Sequence, residues 1–95
     1  MKLHRLNKYN LMFECPGCGY AHRVRIGGEK QPIWEWNNDM EQPTFSPSIV
    51  VVGEYRCHCY VQNGNIKFLK DCTHQLAGQT VIMVEWDEEI ADKPK

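Results

Sequence analysis

The stretch Arg56-Cys57-His58-Cys59-Tyr60-Val61-Gln62-Asn63-Gly64-Asn65-Ile66-Lys67-Phe68-Leu69 decides how this chain folds. Two short apolar runs, Arg56 to Val61 and Ile66 to Leu69, flank an Asn-Gly pair. Such a pair is the strongest short hairpin signal, because the favoured two-residue turn needs backbone with φ > 0, which Gly and Asn adopt at least cost. The reading therefore places Asn63-Gly64 at a hairpin tip, with at least one residue at positive φ. Along the first strand Cys57 and Cys59 share one face and His58 takes the other. Cys72-Thr73-His74 follows the second strand. A hairpin brings its ends together, so Cys57 and Cys72 are expected to be neighbours.

Working outward, Cys15-Pro16-Gly17-Cys18-Gly19 is the sharpest local motif. Two cysteines at this spacing, with Gly in and after the turn, form a knuckle that aims both sulfurs at one point. Zinc takes four thiolate or imidazole ligands in a tetrahedron. The knuckle supplies two. The first-choice set is Cys15, Cys18, Cys57 and Cys72, with His58 or His74 as alternates for the fourth position. A redox reading of the motif needs a helix after it, and here the strictly alternating Ala21-His22-Arg23-Val24-Arg25-Ile26 follows. A structural zinc contributes on the order of 10 kcal/mol to folding, comparable to the whole stability of a small domain. The expected cofactor is therefore structural Zn2+.

The remaining segments read as short strands: residues 21 to 26, Ile33 to Asn37, the β-branched run Ile49 to Val52, and Thr80 to Trp86. The run Ile49 to Val52 suits a strand buried on both faces. No window of a dozen residues carries a helical stripe, which leaves at most one helical turn near His74 to Ala77. The fold class is mostly β: a small antiparallel domain over residues 1–86, stapled by a knuckle-like or ribbon-like zinc site, with a charged flexible tail at 87–95. The chain has 95 residues with 11 Lys plus Arg against 12 Asp plus Glu, a net charge of −1. That balance argues against a dedicated nucleic-acid binder and against a basic membrane-surface helix. No apolar run approaches the ~20 residues that span a bilayer, and Met1 to Arg5 lacks the apolar region of a secretory signal. The expected location is the bacterial cytosol. Thiols stay reduced there, so five cysteines point to metal rather than disulfides.

Several polar residues are left over. His22, His58, His74 and Asp71 have two readings: an open metal or acid–base site, or partners that orient the cysteines and cap backbone groups. The second is favoured. Pro43-Thr44-Phe45-Ser46-Pro47-Ser48 is extended by its prolines, and its hydroxyls are read as satisfying backbone groups at a strand entrance. A serine nucleophile needs a neighbouring base, and no adjacent sequence supplies one. Trp34 and Trp36 share a face and are assigned to covering the thin core.

Cys15-Pro-Gly-Cys18 with His22, Trp36-Asn37, Pro43-Thr-Phe-Ser-Pro-Ser48, Cys57-His58, Gly64, and Asp71-Cys72-Thr73-His74 through Leu76-Ala-Gly-Gln-Thr80 together resemble a family of small proteins of tailed bacteriophages and prophages. Its members often carry the label ammonia monooxygenase. The resemblance covers roughly residues 12 to 84. Cys59 departs from the pattern expected of relatives, which marks it as the spare thiol. The oxygenase label finds no support in the residues, since no carboxylate–histidine iron or copper set is visible. The resemblance implies a phage accessory protein that binds a host or phage protein in an anti-defence or host-takeover role, leaning away from catalysis. The alternatives are a small metal-dependent hydrolase using His22, His58, His74 and Asp71, and a nucleic-acid-binding zinc ribbon with a patch of Arg5, Arg23, Arg25 and Trp34. If Cys57 faces the zinc, His58 faces away, so the histidines are expected not to converge.

Overall fold

A computed structural model describes residues 1–86; the charged segment 87–95 lies outside the described residues. The chain forms β1 (His4–Asn7), β2 (Asn10–Cys15), β3 (Tyr20–Arg25), β4 (Glu35–Trp36), β5 (Phe45–Val52), β6 (Arg56–Gln62), β7 (Asn65–Phe68) and β8 (Thr80–Ile82). These make two antiparallel sheets, β1-β2-β3 and β4-β5-β6-β7-β8. No helix occurs among the described residues, and His74 to Ala77 is a hydrogen-bonded turn.

Period-two alternation builds the core. Leu11, Phe13 and Cys15 from β2, His22 and Val24 from β3, and Phe45, Ile49, Cys57, Cys59, Val61, Ile66 and Phe68 from the larger sheet are all buried. One face of each sheet is spent on this shared core, and the other stays open to solvent.

The β6–β7 hairpin is as the Asn-Gly pair requires. Gln62 pairs with Asn65, and both turn residues lie at positive φ, Asn63 at 51° and Gly64 at 78°. Three expectations are corrected. Ile49 to Val52 is buried on one face only, with Val50 47% and Val52 73% exposed, because no described residue covers these two side chains on the outer face of β5. The strand expected over Thr80 to Trp86 ends at Ile82: the Met83 N–H still donates to the Gly64 carbonyl in the same register, but Gly64 already belongs to the β6–β7 turn, so the partner strand has run out. The strand expected over Ile33 to Asn37 contracts to two residues.

The β1–β2 hairpin was not expected. β2 carries the alternation that signals a strand, but β1 is largely exposed and polar. Its turn is set by Asn7, whose Oδ1 accepts from the Tyr9 N–H and from Asn10 Nδ2.

Candidate active site and metal centre

The inner faces of β2, β3 and β6 gather four metal-ligating side chains. Cys15 ends β2, the knuckle returns with Cys18, β3 contributes His22 and β6 contributes Cys57. One ligand atom from each lies within 4.8 Å of all the others, and all four residues are buried. The Cys18 N–H donates to Cys15 Sγ at 3.4 Å, and Cys15 Sγ lies 4.0 Å from Cys57 Sγ. Gly19, at φ 80°, closes the knuckle by donating its N–H to the Cys15 carbonyl at 2.8 Å. Gly17 has no room for a side chain, since a Cβ there would overlap the His74 imidazole.

The donor set fits a metal. Both ring nitrogens of His22 are buried without a hydrogen-bond partner, an arrangement that costs roughly 1–3 kcal/mol per group unless something occupies the lone pair. Without a cation the thiols resist ionisation. The hydrogen bond with Cys57, then burial, pushes the Cys15 thiol up to about 12. Burial pushes Cys18 up to about 11. At Cys57 the hydrogen bond with Cys15 works downward, but Cys59 and burial outweigh it and raise the thiol. A divalent cation at the centre reverses this preference by stabilising the thiolates. Three sulfurs and one imidazole, all buried, are four donors of the kind that fill the tetrahedron of a structural metal site.

Cys72, expected as the fourth ligand, lies outside this cluster, and His22 lies within it. Cys72 instead forms a second group with Cys57 and His74. Its Sγ accepts from the His58 N–H at 3.2 Å and its thiol donates to the His58 carbonyl at 3.2 Å, so it clamps the peptide of His58. The alternates also fall elsewhere. The Leu76 N–H donates to His74 Nδ1 at 3.2 Å, and burial lowers the His74 pKa. Cys59 belongs to neither group and is fully buried in the core.

The outer face of β6 presents different chemistry. His58 points away from Cys57, as alternation requires, and its Nε2 lies 3.1 Å from Ser48 Oγ while Nδ1 lies 3.1 Å from Asp71 Oδ2. With Nδ1–H donating to the carboxylate, Nε2 is free to accept the Ser48 hydroxyl proton. Ser48 sits in a bulge of β5, where Ser46, Pro47 and Ser48 together stand opposite Tyr60 alone. Bulges re-aim side chains and are common beside active sites.

Asp71 follows β7 in a turn tied down on both sides. The Leu69 N–H donates to the His58 carbonyl at 2.9 Å, the Thr73 N–H to the Arg56 carbonyl at 3.0 Å, and the Arg56 N–H to Thr73 Oγ1 at 2.8 Å. Arg56 Nε also donates to Asp71 Oδ2 at 3.3 Å. The hydrogen bond from His58, then the charge of His58 and the hydrogen bond from Arg56, hold the Asp71 carboxyl below the usual carboxylate range.

The grouping of His22, His58, His74 and Asp71 is therefore not one site. His22 joins the metal cluster, His74 is buried edge-on against Phe68, and only His58 and Asp71 meet. The histidines do not converge, and although no base lies beside Ser48 in the sequence, β6 brings His58 to it from across the sheet. The signal was present in the register. A short turn at Gly53–Tyr55 pairs Val50 with His58, and an outward serine two residues earlier is then within reach.

Against known proteins, a family model described as BubE, bacterial ubiquitination-like system serine protease, matches residues 2–69, and the chain belongs to that family. Ser48 and His58 lie inside the matched span; Asp71 lies just beyond it. No curated protein and no solved structure matches the chain.

Proposed function

With membership of the BubE family as the premise, we propose that this chain is a serine peptidase, with Ser48 as nucleophile, His58 as general base and Asp71 as the group that orients His58. The observation that carries this reading is the contact of Ser48 Oγ with His58 Nε2 at 3.1 Å, backed by Asp71 on Nδ1. The sequence contains only two serines, and no hydrogen bond links Ser46 to a base among the described residues. Geometry and role identify such a triad, not sequence order.

The chemistry follows from the arrangement. Ser48 Oγ attacks a peptide carbonyl while its proton passes to His58 Nε2. The tetrahedral intermediate collapses, the C–N bond breaks, and the amine leaves with the proton from His58. Water then attacks the Ser48 ester with His58 again as base, releasing the acid and regenerating the hydroxyl. Asp71 stays ionised and stabilises the imidazolium formed in each half. The metal has no step in this sequence. We assign it as zinc, held by Cys15, Cys18, Cys57 and His22, because three thiolates with one imidazole suit tetrahedral zinc. Its role is to fix Cys57 and hence the start of β6 that carries His58.

The accessory-protein reading, in which the chain acts by binding a host or phage protein, rests on the resemblance alone, and the triad favours the peptidase. The test is hydrolysis of an unfolded polypeptide such as casein by the metal-loaded chain. Cleavage that disappears in Ser48→Ala and persists in Ser46→Ala supports the assignment. Cleavage unaffected by Ser48→Ala refutes it.

A further inference from the structure

The backbone around Ser48 has a directional property that the triad does not use. On β6, the N–H and carbonyl of His58 turn toward Cys72 and Leu69, and those of Arg56 turn toward Thr73. In an antiparallel ladder a residue's N–H and C=O point to the same side, and neighbours alternate. Val50 and Val52, which pair with His58 and Arg56, are therefore the non-hydrogen-bonded pairs of this ladder, and their own N–H and C=O groups aim at the opposite edge of β5.

That edge is open. β4 covers it only at Phe45 and Ser46, and the Ser48 carbonyl accepts from Trp34 Nε1 at 3.2 Å. Beyond Ser48, no described residue pairs with the edge groups of Val50 and Val52. Proteins usually blunt such edges with lysine, proline or short strands. Here the run is Ile49-Val50-Val51-Val52, and Pro47 lies only in the bulge before it.

We propose that this edge is the main-chain recognition site for the substrate: an extended polypeptide segment adds as a sixth strand along Val50 and Val52, laying its scissile carbonyl at Ser48. This rests on the peptidase reading. The occupant follows from position, because the unpaired donors and acceptors begin two residues, ~7 Å, from the nucleophile on the same strand. Strand addition gives affinity through main-chain bonds and selectivity through alternate side chains. Val50 and Val52 are exposed on the face that carries His58, so the substrate residues opposite them are apolar. The substrate class is an extended or unfolded segment, such as a tail or linker, not a folded surface.

The test compares two probes, fluorescently labelled casein and 4-nitrophenyl acetate, which has no main chain to pair. Val50→Pro and Val52→Pro each remove one outward N–H without breaking a bond to β6, a placement in which edge proline is tolerated. The expected result is a fall of about tenfold in the ratio of casein to ester rates for the double variant, the scale of one or two lost main-chain bonds. An unchanged ratio overturns the proposal, as does a wild-type protein that hydrolyses the ester and leaves casein intact.

Should the proline variants fail to fold, the wild-type protein is given peptides spanning its casein cleavage sites, with single N-methyl groups at successive positions. Two sensitive positions spaced two residues apart support strand addition, and uniform tolerance overturns it. A dimer that Val52→Pro converts to monomer would assign the edge to a second copy of the chain and refute the proposal. Neither probe being hydrolysed would remove the peptidase reading and this inference with it.

Discussion

Cys57 and His58 are consecutive residues on β6, yet they belong to two regions with different physics. Cys57 points inward, fully buried, into a cluster with the buried Cys15, Cys18 and His22. His58 points outward, a quarter exposed, to Ser48 and a half-exposed Asp71. On the proposed reading, the inner face holds the fold together and the outer face carries the chemistry. One peptide bond joins the two, so a small domain can anchor a catalytic base by anchoring its neighbour. The same logic recurs across the site, where Asp71 orients His58 and Cys72, the next residue, clamps the His58 peptide from below.

The comparison breaks most visibly when the inner face is damaged. Removing the metal, or replacing Cys15, Cys18 or Cys57 by Ser, should cost on the order of 10 kcal/mol and unfold much of the chain. Circular dichroism during chelator titration checks this. A metal-free chain that keeps its sheet signal would contradict the stapling role. On the outer face the expectation is the reverse. Ser48→Ala should lower peptide hydrolysis by at least about 10⁴-fold, and Asp71→Asn by about 10²–10⁴-fold. Both should leave metal content and thermal midpoint nearly unchanged, measured by elemental analysis and calorimetry. A large loss of stability in Ser48→Ala would mean that the two faces are not separable.

Proton counting sharpens the inner face. The thiols of Cys15, Cys18 and Cys57 are raised in the metal-free cluster, so they are protonated at neutral pH and must release their protons when the ion binds. Metal affinity therefore falls as pH falls. Calorimetry at pH 7.5 in buffers of different ionisation enthalpy should find about three protons released per ion, because an imidazole binds as the neutral ring. A count of about four would restore Cys72 as the fourth ligand in place of His22. Consistently, Cys72→Ser should keep the metal and lower the rate of hydrolysis.

The smallest effect belongs to the turn. Gly64→Val, at φ 78° and with Gln42 Cα 3.2 Å from the new Cβ, should cost roughly 1–3 kcal/mol by denaturant titration. The peptidase activity of the folded fraction should be unaffected.

Much of the inner face was legible in the sequence, because its signals are local. The spacing of Cys15 and Cys18, the Asn63-Gly64 turn and the alternation of Cys57, His58 and Cys59 each act within a few residues. His22 was grouped with His58, His74 and Asp71 rather than with the cysteine ligands, since a strand face lists candidates without saying which one meets the knuckle. The outer face was far less legible. Ser48, His58 and Asp71 come from three separate elements, and their meeting depends on the β5–β6 register and on a bulge that turns Ser48. Neither register nor bulge is written in any short motif. The β-branched run Ile49 to Val52 read as doubly buried because composition cannot say whether a second layer covers the far face. Among the described residues none does, and Val50 and Val52 stay exposed.

The most direct test of the account is labelling with a fluorophosphonate, which reacts only with a serine activated by a base. The metal-loaded chain should gain one adduct by intact mass, mapped by peptide fragmentation to Ser48 and absent in His58→Ala. An adduct on Ser46, or a folded, metal-loaded chain that takes no label at all, would contradict the assignment of Ser48, His58 and Asp71 as the active site.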